Sequence, residues 1–298
     1  MTKITCTCAA IAAASAFLWA TAYERPAAQA APAPRAAAAR AGAPAGTWTP
    51  TRRKDGQPGI EGIYQSVSNE GVSSGVNLEP MTGVMGNPRM SPGIIIDPPD
   101  KMVPYLPWAR VRRDEVRDHH LTPNQAQVDT RNRGWPDGVP RINYYFVNPF
   151  QIIQPSGGVV ILYEAQHEFR YIPLDGRPQI DNGVKLWMGS SRGRWEGNTL
   201  VVDVANISDR VRLSIAGDFA SDQLNVTERW TWVDRNTIKH TATFVDPKVF
   251  TRPFTVAMTI KRLTESGFEI MEYSGVEGEK DANLMVDIPV AVKEQEKK

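Results

Sequence analysis

The chain has 298 residues, of which 34 are basic and 33 acidic, and it contains two cysteines. So even a charge balance gives no electrostatic case for nucleic acid or an anionic membrane as partner. Both cysteines, Cys6 and Cys8, lie at the extreme N-terminus, so the rest of the chain has no disulfide, thiolate nucleophile or cysteine metal site.

The first 30 residues read as a cleavable secretory signal. Lys3 supplies a positive start, Ala9–Thr21 is an apolar run, and Ala28-Gln29-Ala30 fits the small-x-small cleavage rule. The run is shorter than the roughly 20 residues that span a bilayer, so no membrane span is expected after cleavage. Cleavage after Ala30 would remove Lys3, Glu24 and Arg25, leaving 32 basic against 32 acidic residues. Residues 31–50 are Ala/Pro/Gly-rich with little to bury and read as a disordered tether. One mostly-β domain is expected over 51–292, and the charged tail 293–298 is expected to fray. The expected location is the bacterial periplasm or the medium.

Within the domain, Gly59–Tyr64 and Ile94–Ile96 are short strand candidates, the second stopped by Asp97-Pro-Pro-Asp100. Pro107 suits a first helical position, and Trp108–His119 alternates apolar and charged residues at helical spacing. Its Arg110-Val-Arg-Arg113 stretch reads as a solvated face. From Arg141 onward, β-branched and aromatic runs alternate with Gly, Asn and Asp turns. Strands are expected over 142–153, 159–172 and 194–204. Two hairpins are expected: 224–233 with 237–244, and 254–263 with 268–273. The fold class is therefore mainly β: a lipocalin-like antiparallel β-barrel or a sandwich, with a helix-bearing N-terminal excursion.

The densest chemistry lies in Val159–Ile172, VVILYEAQHEFRYI. As one extended strand, it sets Val159, Ile161, Tyr163, Ala165, His167, Phe169 and Tyr171 on one face. Its other face carries Glu164, Gln166, Glu168 and Arg170. His167 on an otherwise apolar face is the candidate for acid–base work, because its unperturbed pKa lies near neutrality. A core histidine with a satisfied hydrogen bond is the alternative. Trp187 and Trp195 offer rings for stacking on a ligand or for plugging a barrel end. Arg192, with Arg194, Arg170 and Arg177, offers a carboxylate-ligand contact, with salt bridges to Glu164, Glu196 or Asp203 as the simpler alternative. Glu228 shares a face with Leu224 and Val226, so its carboxylate needs a partner, most simply an arginine. If Glu228 faced His167 instead, the two would form an acid–base pair.

Several segments together carry a resemblance: Asp97-Pro-Pro-Asp100, Gly138-Val-Pro-Arg141, Pro149-Phe-Gln-Ile152, Leu162–Arg170, Asp175-Gly-Arg-Pro178, Trp187-Met-Gly189, Gly193-Arg-Trp-Glu-Gly197, Ser221-Asp222, Glu228-Arg229 and Asp246-Pro247. On these the chain resembles a family of secreted bacterial proteins of unknown function, common in acidobacteria and proteobacteria. Members of that family often carry histidine where this chain has Ala220 and Asn225, and cysteine near Arg133 and at Ser274. The resemblance therefore implies neither a multi-histidine metal site nor that disulfide here.

The expected site is the mouth of the barrel, taking a small apolar or aromatic ligand. In its enzymatic version, a cofactor-independent lyase, isomerase or hydratase, His167 moves the proton, Tyr163 or Arg170 stabilises charge, and Glu228 orients the imidazole. Phe169, Trp187, Trp195 and Arg192 bind substrate. No metal and no cofactor is expected. The rival readings are a non-catalytic periplasmic binding protein and a structural envelope protein with a filled interior. The chain has no P-loop, no G-x-G-x-x-G fingerprint and no Gly-x-Ser-x-Gly elbow, which argues against nucleotide use and α/β-hydrolase chemistry. Oligomeric state is not legible.

Overall fold

A computed structural model describes residues 48–67, 77–81, 92–119, 123–124, 126–144 and 148–273. The expected signal segment and the charged tail lie outside the described residues, as does most of the tether. Trp48 and Pro50, expected in the tether, instead pack on the domain: Pro50 is buried, and Asn198 Nδ2 donates to the Trp48 carbonyl at 2.5 Å. A tryptophan carries enough apolar surface to hold the chain there.

The domain is an antiparallel β-barrel rather than a sandwich. Its strands are β1 Gly62–Val67, β2 Ile95–Asp97, β3 Phe150–Ile153, β4 Gly158–Tyr163, β5 Phe169–Pro173, β6 Ser190–Glu196, β7 Thr199–Ala205, β8 Asn225–Asp234, β9 Thr237–Val245 and β10 Phe254–Arg262. They hydrogen-bond in the order β5-β4-β3-β1-β10-β9-β8-β7-β6, with β2 pairing the start of β10. The two ends of that order, β5 and β6, meet through side chains, so the barrel is almost closed. Gly193 permits the meeting: a Cβ there would lie 2.6 Å from side-chain carbons of Ile172 and Leu174.

Each strand reports its inward face by alternation. On β8 it is Val226, Glu228, Trp230 and Trp232; on β9, Ile238, His240, Ala242 and Phe244; on β10, Phe254, Val256, Met258 and Ile260. The β8–β9 hairpin forms as expected, its turn held by the Asp234 carboxylate accepting from Asn236 N at 2.7 Å. Up-and-down alternation places the turns at 154–157, 197–198 and 235–236 at one end of the barrel. The turn 164–168 and the connection 246–253 lie at the other.

Helix α1, Pro107–Asp118, begins at the expected proline. Arg113, expected in a solvated face, is buried. It donates to Asp218 Oδ1 at 3.0 Å and lies 2.7 Å from Glu79 Oε2, while the Tyr105 hydroxyl donates to Asp218 at 2.9 Å. A buried guanidinium requires such partners, and these bind the helix to the 211–219 loop. Gly217 lets the two approach, since a Cβ there would sit 2.6 Å from Val116.

Three expected elements differ. The stretch 142–153 opens with a 3-10 turn at Arg141–Asn143, and among its described residues the strand is Phe150–Ile153. The stretch 194–204 is part of a hairpin, β6 and β7, turning at Gly197-Asn198. Residues 268–273 do not pair with β10, and Tyr273 instead bridges Ala165 in parallel. Among the described residues, no helix is long and apolar enough to cross a membrane.

Candidate functional site

The segment 159–172 is a hairpin rather than one strand. Gln166 and His167 both have φ of 55°, and Glu168 N donates back to the Ala165 carbonyl, which closes a tight turn. The turn reverses the face assignment beyond it. Leu162 pairs with Phe169, and Tyr163 N donates to the Glu168 carbonyl at 2.9 Å. Tyr163, Glu168, Arg170 and Ile172 therefore share the inward side, and Phe169 and Tyr171 point out.

The inward residues assemble a polar cluster in an otherwise apolar interior. Glu228 is fully buried and accepts three hydrogen bonds from three side chains: its Oε2 receives the Arg170 guanidinium, and its Oε1 receives Asn143 Nδ2 at 2.8 Å and His240 Nε2 at 3.1 Å. Arg170 Nε donates across the β5–β6 seam to Ser191 Oγ at 2.9 Å. The Tyr163 hydroxyl donates to Asn143 Oδ1 at 2.9 Å. Asn143 reaches in from the 3-10 turn at the 164–168 end, where Ser66 Oγ also donates to its carbonyl.

Electrostatics follow from this packing. Burial pushes the Glu228 carboxyl up, but the Arg170 charge, the His240 hydrogen bond and charge, and the Arg170 hydrogen bond together hold it at about 2. Burial raises the Tyr163 hydroxyl above its ordinary value. His240 Nε2 faces the Glu228 carboxylate, so that nitrogen carries a proton. Three buried polar atoms here have no hydrogen-bond partner among the described residues: Arg170 Nη1, Trp230 Nε1 and His240 Nδ1. Aromatic walls flank them, with Trp230 edge-on to both His240 and Phe150 and Phe150 tilted against Tyr163.

Glu168 stands above this cluster, two residues before Arg170. Burial, and then the Asp137 charge, raise its carboxyl to about 7. Asp137 is itself buried and raised by desolvation, against the pull of Arg141 and Arg131. Arg141 also donates to Asp129 at 3.0 Å, so the 126–144 segment lays a ring of paired charges over this end of the barrel.

Of the expected site residues, Tyr163, Arg170 and Glu228 come together. His167 does not join them: it sits on the turn with its side chain 49 % exposed, 3.8 Å from the Glu272 carboxylate. Its place beside Glu228 is taken by His240. Phe169 is 67 % exposed on the outside of β5. Arg192 is on the outside of β6, donating to the Arg177 and Pro178 carbonyls. Trp187 precedes β6 and packs on Trp135, whereas Trp195, near the far end of β6, packs on Trp232 and donates to Gln57. At about 3.3 Å per residue, the two tryptophans stand at opposite ends of the barrel and line no common mouth. The residues missed are His240, Asn143, Ser191 and Glu168. The alternation Ile238, His240, Ala242, Phe244 carried a signal for the first, a lone histidine on an apolar stripe. Among the described residues, no group of three or more His, Cys, Asp or Glu is placed to hold a metal ion. Comparison with protein-family models, curated proteins and solved structures finds no match to this chain.

Proposed function

We propose that the chain is an exported barrel protein that binds a small aromatic or apolar molecule carrying a hydrogen-bond-accepting oxygen. The observation that carries this reading is the pair of buried donors without partners, Arg170 Nη1 and Trp230 Nε1, beside the aromatic walls of Phe150 and Tyr163. A buried donor left unpaired costs about 1–3 kcal/mol, and acceptor atoms of a bound ligand would satisfy them. Trp230 lies two residues from Glu228 on the same strand face, about 7 Å along it, within the span of one small molecule. The signal-like first 30 residues support export. The test is mass spectrometry of small molecules released by denaturing protein purified from its native compartment. A stoichiometric aromatic acid, ketone or ester supports the reading. Empty protein that shows no thermal shift with a panel of such compounds refutes it.

A second reading, favoured by the Glu228–His240 pair, adds cofactor-independent acid–base catalysis of the lyase, isomerase or hydratase type. In it Arg170 and Tyr163 stabilise developing negative charge, and Glu228 orients the His240 ring. Glu168, titrating near neutrality on the inward side, moves the proton that the sequence assigned to His167. Glu168→Gln would then abolish turnover while leaving ligand binding in place. Unchanged turnover would exclude Glu168 from the chemistry.

A further inference from the structure

The opposite end of the barrel carries an open cleft of about 470 Å³, lined by Trp48, Thr51, Arg53, Glu61, Arg235 and Arg262 among others. That volume falls within the range typical of small-molecule sites, roughly 300–1,000 Å³. Its charges do not cancel. Glu61 is the acidic side chain of the lining, and its carboxylate is already engaged by Arg53 Nη1 at 2.8 Å and Gln154 N at 3.0 Å. Arg262 is held entirely by neutral acceptors. Its Nη1 donates to the Glu61 carbonyl at 2.6 Å, its Nε to the Arg235 carbonyl at 3.2 Å, and its Nη2 to the Tyr64 hydroxyl. The guanidinium also lies 4.7 Å over the Tyr64 ring. A guanidinium has five N–H donors, so two remain for a ligand. Arg235, exposed in the β8–β9 turn, makes no side-chain ion pair among the described residues.

Four exposed arginines elsewhere on this barrel are neutralised by carboxylates. Arg177 faces Asp175, Arg194 faces Asp203 and Glu196, Arg229 faces Glu196, and Arg252 faces Asp97. Arg262 and Arg235 have no such carboxylate among the described residues, and both line a concave surface with a half-buried indole in its wall. We propose that this cleft binds a small ring-bearing organic anion, its carboxylate or phosphate held by Arg262 and Arg235 and its ring laid on Trp48. Guanidinium groups match planar oxyanions in a bidentate fork. Because Arg262 is already immobilised by three hydrogen bonds and a ring contact, little side-chain freedom is lost on binding. The site is separate from the interior cluster and stands whether or not that cluster binds a ligand.

The test is calorimetric titration at low salt with benzoate, glucuronate and glucose 1-phosphate. Methyl glucoside serves as the neutral ring control and inorganic phosphate as the bare anion. At least one ring-bearing anion is expected to bind with submillimolar Kd and at least tenfold more tightly than either control. Benzoate or glucuronate as the best ligand identifies a carboxylate site, and glucose 1-phosphate a phosphate site. Arg235→Glu, on an exposed turn, is expected to abolish binding with an unchanged thermal midpoint, and Trp48→Ala to reduce the preference for ring-bearing anions by tenfold or more. No binding by any of the three anions would overturn the proposal. So would binding of inorganic phosphate equal to that of the ring compounds, or binding indifferent to Arg235→Glu.

Discussion

Glu228→Gln tests the interior cluster most directly. The substitution keeps the side chain's shape and removes its charge, so Arg170 remains buried as a cation without a counter-ion. Breaking a buried pair from one side costs about 3–5 kcal/mol. The pKa gives an independent figure. The carboxyl lies at about 2 against an ordinary 4.5, a depression worth about 3 kcal/mol at 1.36 kcal/mol per unit. A depressed carboxylate pKa means that this stabilisation is present above pH 4.5 and is lost as the pH falls toward 2. Urea unfolding followed by tryptophan fluorescence at pH 7 should therefore show the variant less stable by about 3 kcal/mol at unchanged m-value. The gap between variant and wild type should narrow steadily below pH 4.5. Adding Arg170→Met should recover part of the loss, because it removes the unpaired cation. A loss below about 1 kcal/mol at pH 7, or a gap independent of pH, would show that Glu228 is solvated or already protonated in the fold.

Three further outcomes follow from the geometry. The Glu168 carboxyl is raised to about 7, so its contribution is full below pH 4.5 and is lost as the pH rises through 7. Glu168→Gln should flatten the decline in thermal midpoint between pH 5 and 8, and an unaltered profile would place the carboxylate in solvent. Gly193→Val should destabilise by at least about 1–3 kcal/mol through overpacking, because the new side chain meets Ile172 and Leu174 at the seam; a neutral result in urea unfolding would mean the seam is open. His167→Ala should change stability by no more than about 0.5 kcal/mol, whereas His240→Ala, which leaves Glu228 short of a donor, should cost about 1–3 kcal/mol; equal effects would contradict the placement of the two rings.

Much of the architecture was legible because its signals are local. Pro107 marks the helix start, and Asp234-Arg-Asn236 marks a turn between two alternating runs. The need of Glu228 for an arginine followed from its apolar neighbours, and Arg170 meets it. The error at 159–172 also has a local cause. A two-residue turn with both residues at positive φ favours Asn-Gly, whereas this chain uses Gln166-His167. With no turn signal, the segment reads as one strand, and every residue beyond the turn is assigned to the wrong face. That pattern puts Arg170 and Glu168 outside, and Phe169 inside. Asn143 was beyond reach for another reason: it enters from an irregular turn 85 residues away from Glu228 in sequence, and no periodicity announces such a contact. The burial of Arg113 was illegible in the same way, since its partners Glu79 and Asp218 come from distant loops.

The interior cluster is hard to explain as stabilisation alone. Well-packed apolar side chains can replace a buried ion pair at no cost, often with a gain of about 1–4 kcal/mol, and the rest of this interior is already apolar. The cluster does perform one mechanical task. β5 and β6 share no backbone ladder, and Arg170 to Ser191 is a polar bond that crosses their seam. The same guanidinium thus ties the seam on Nε, holds Glu228 on Nη2 and leaves Nη1 without a partner. A ligand oxygen on Nη1 would engage the group that closes the barrel, so occupancy and closure would be coupled through one side chain. By linkage, a ligand that prefers the closed seam stabilises it by RT ln(1 + [L]/Kd), about 2.7 kcal/mol at a hundredfold excess over Kd. An apolar seam would be as stable and would carry no such coupling, which is the physical distinction between a filled interior and a binding one.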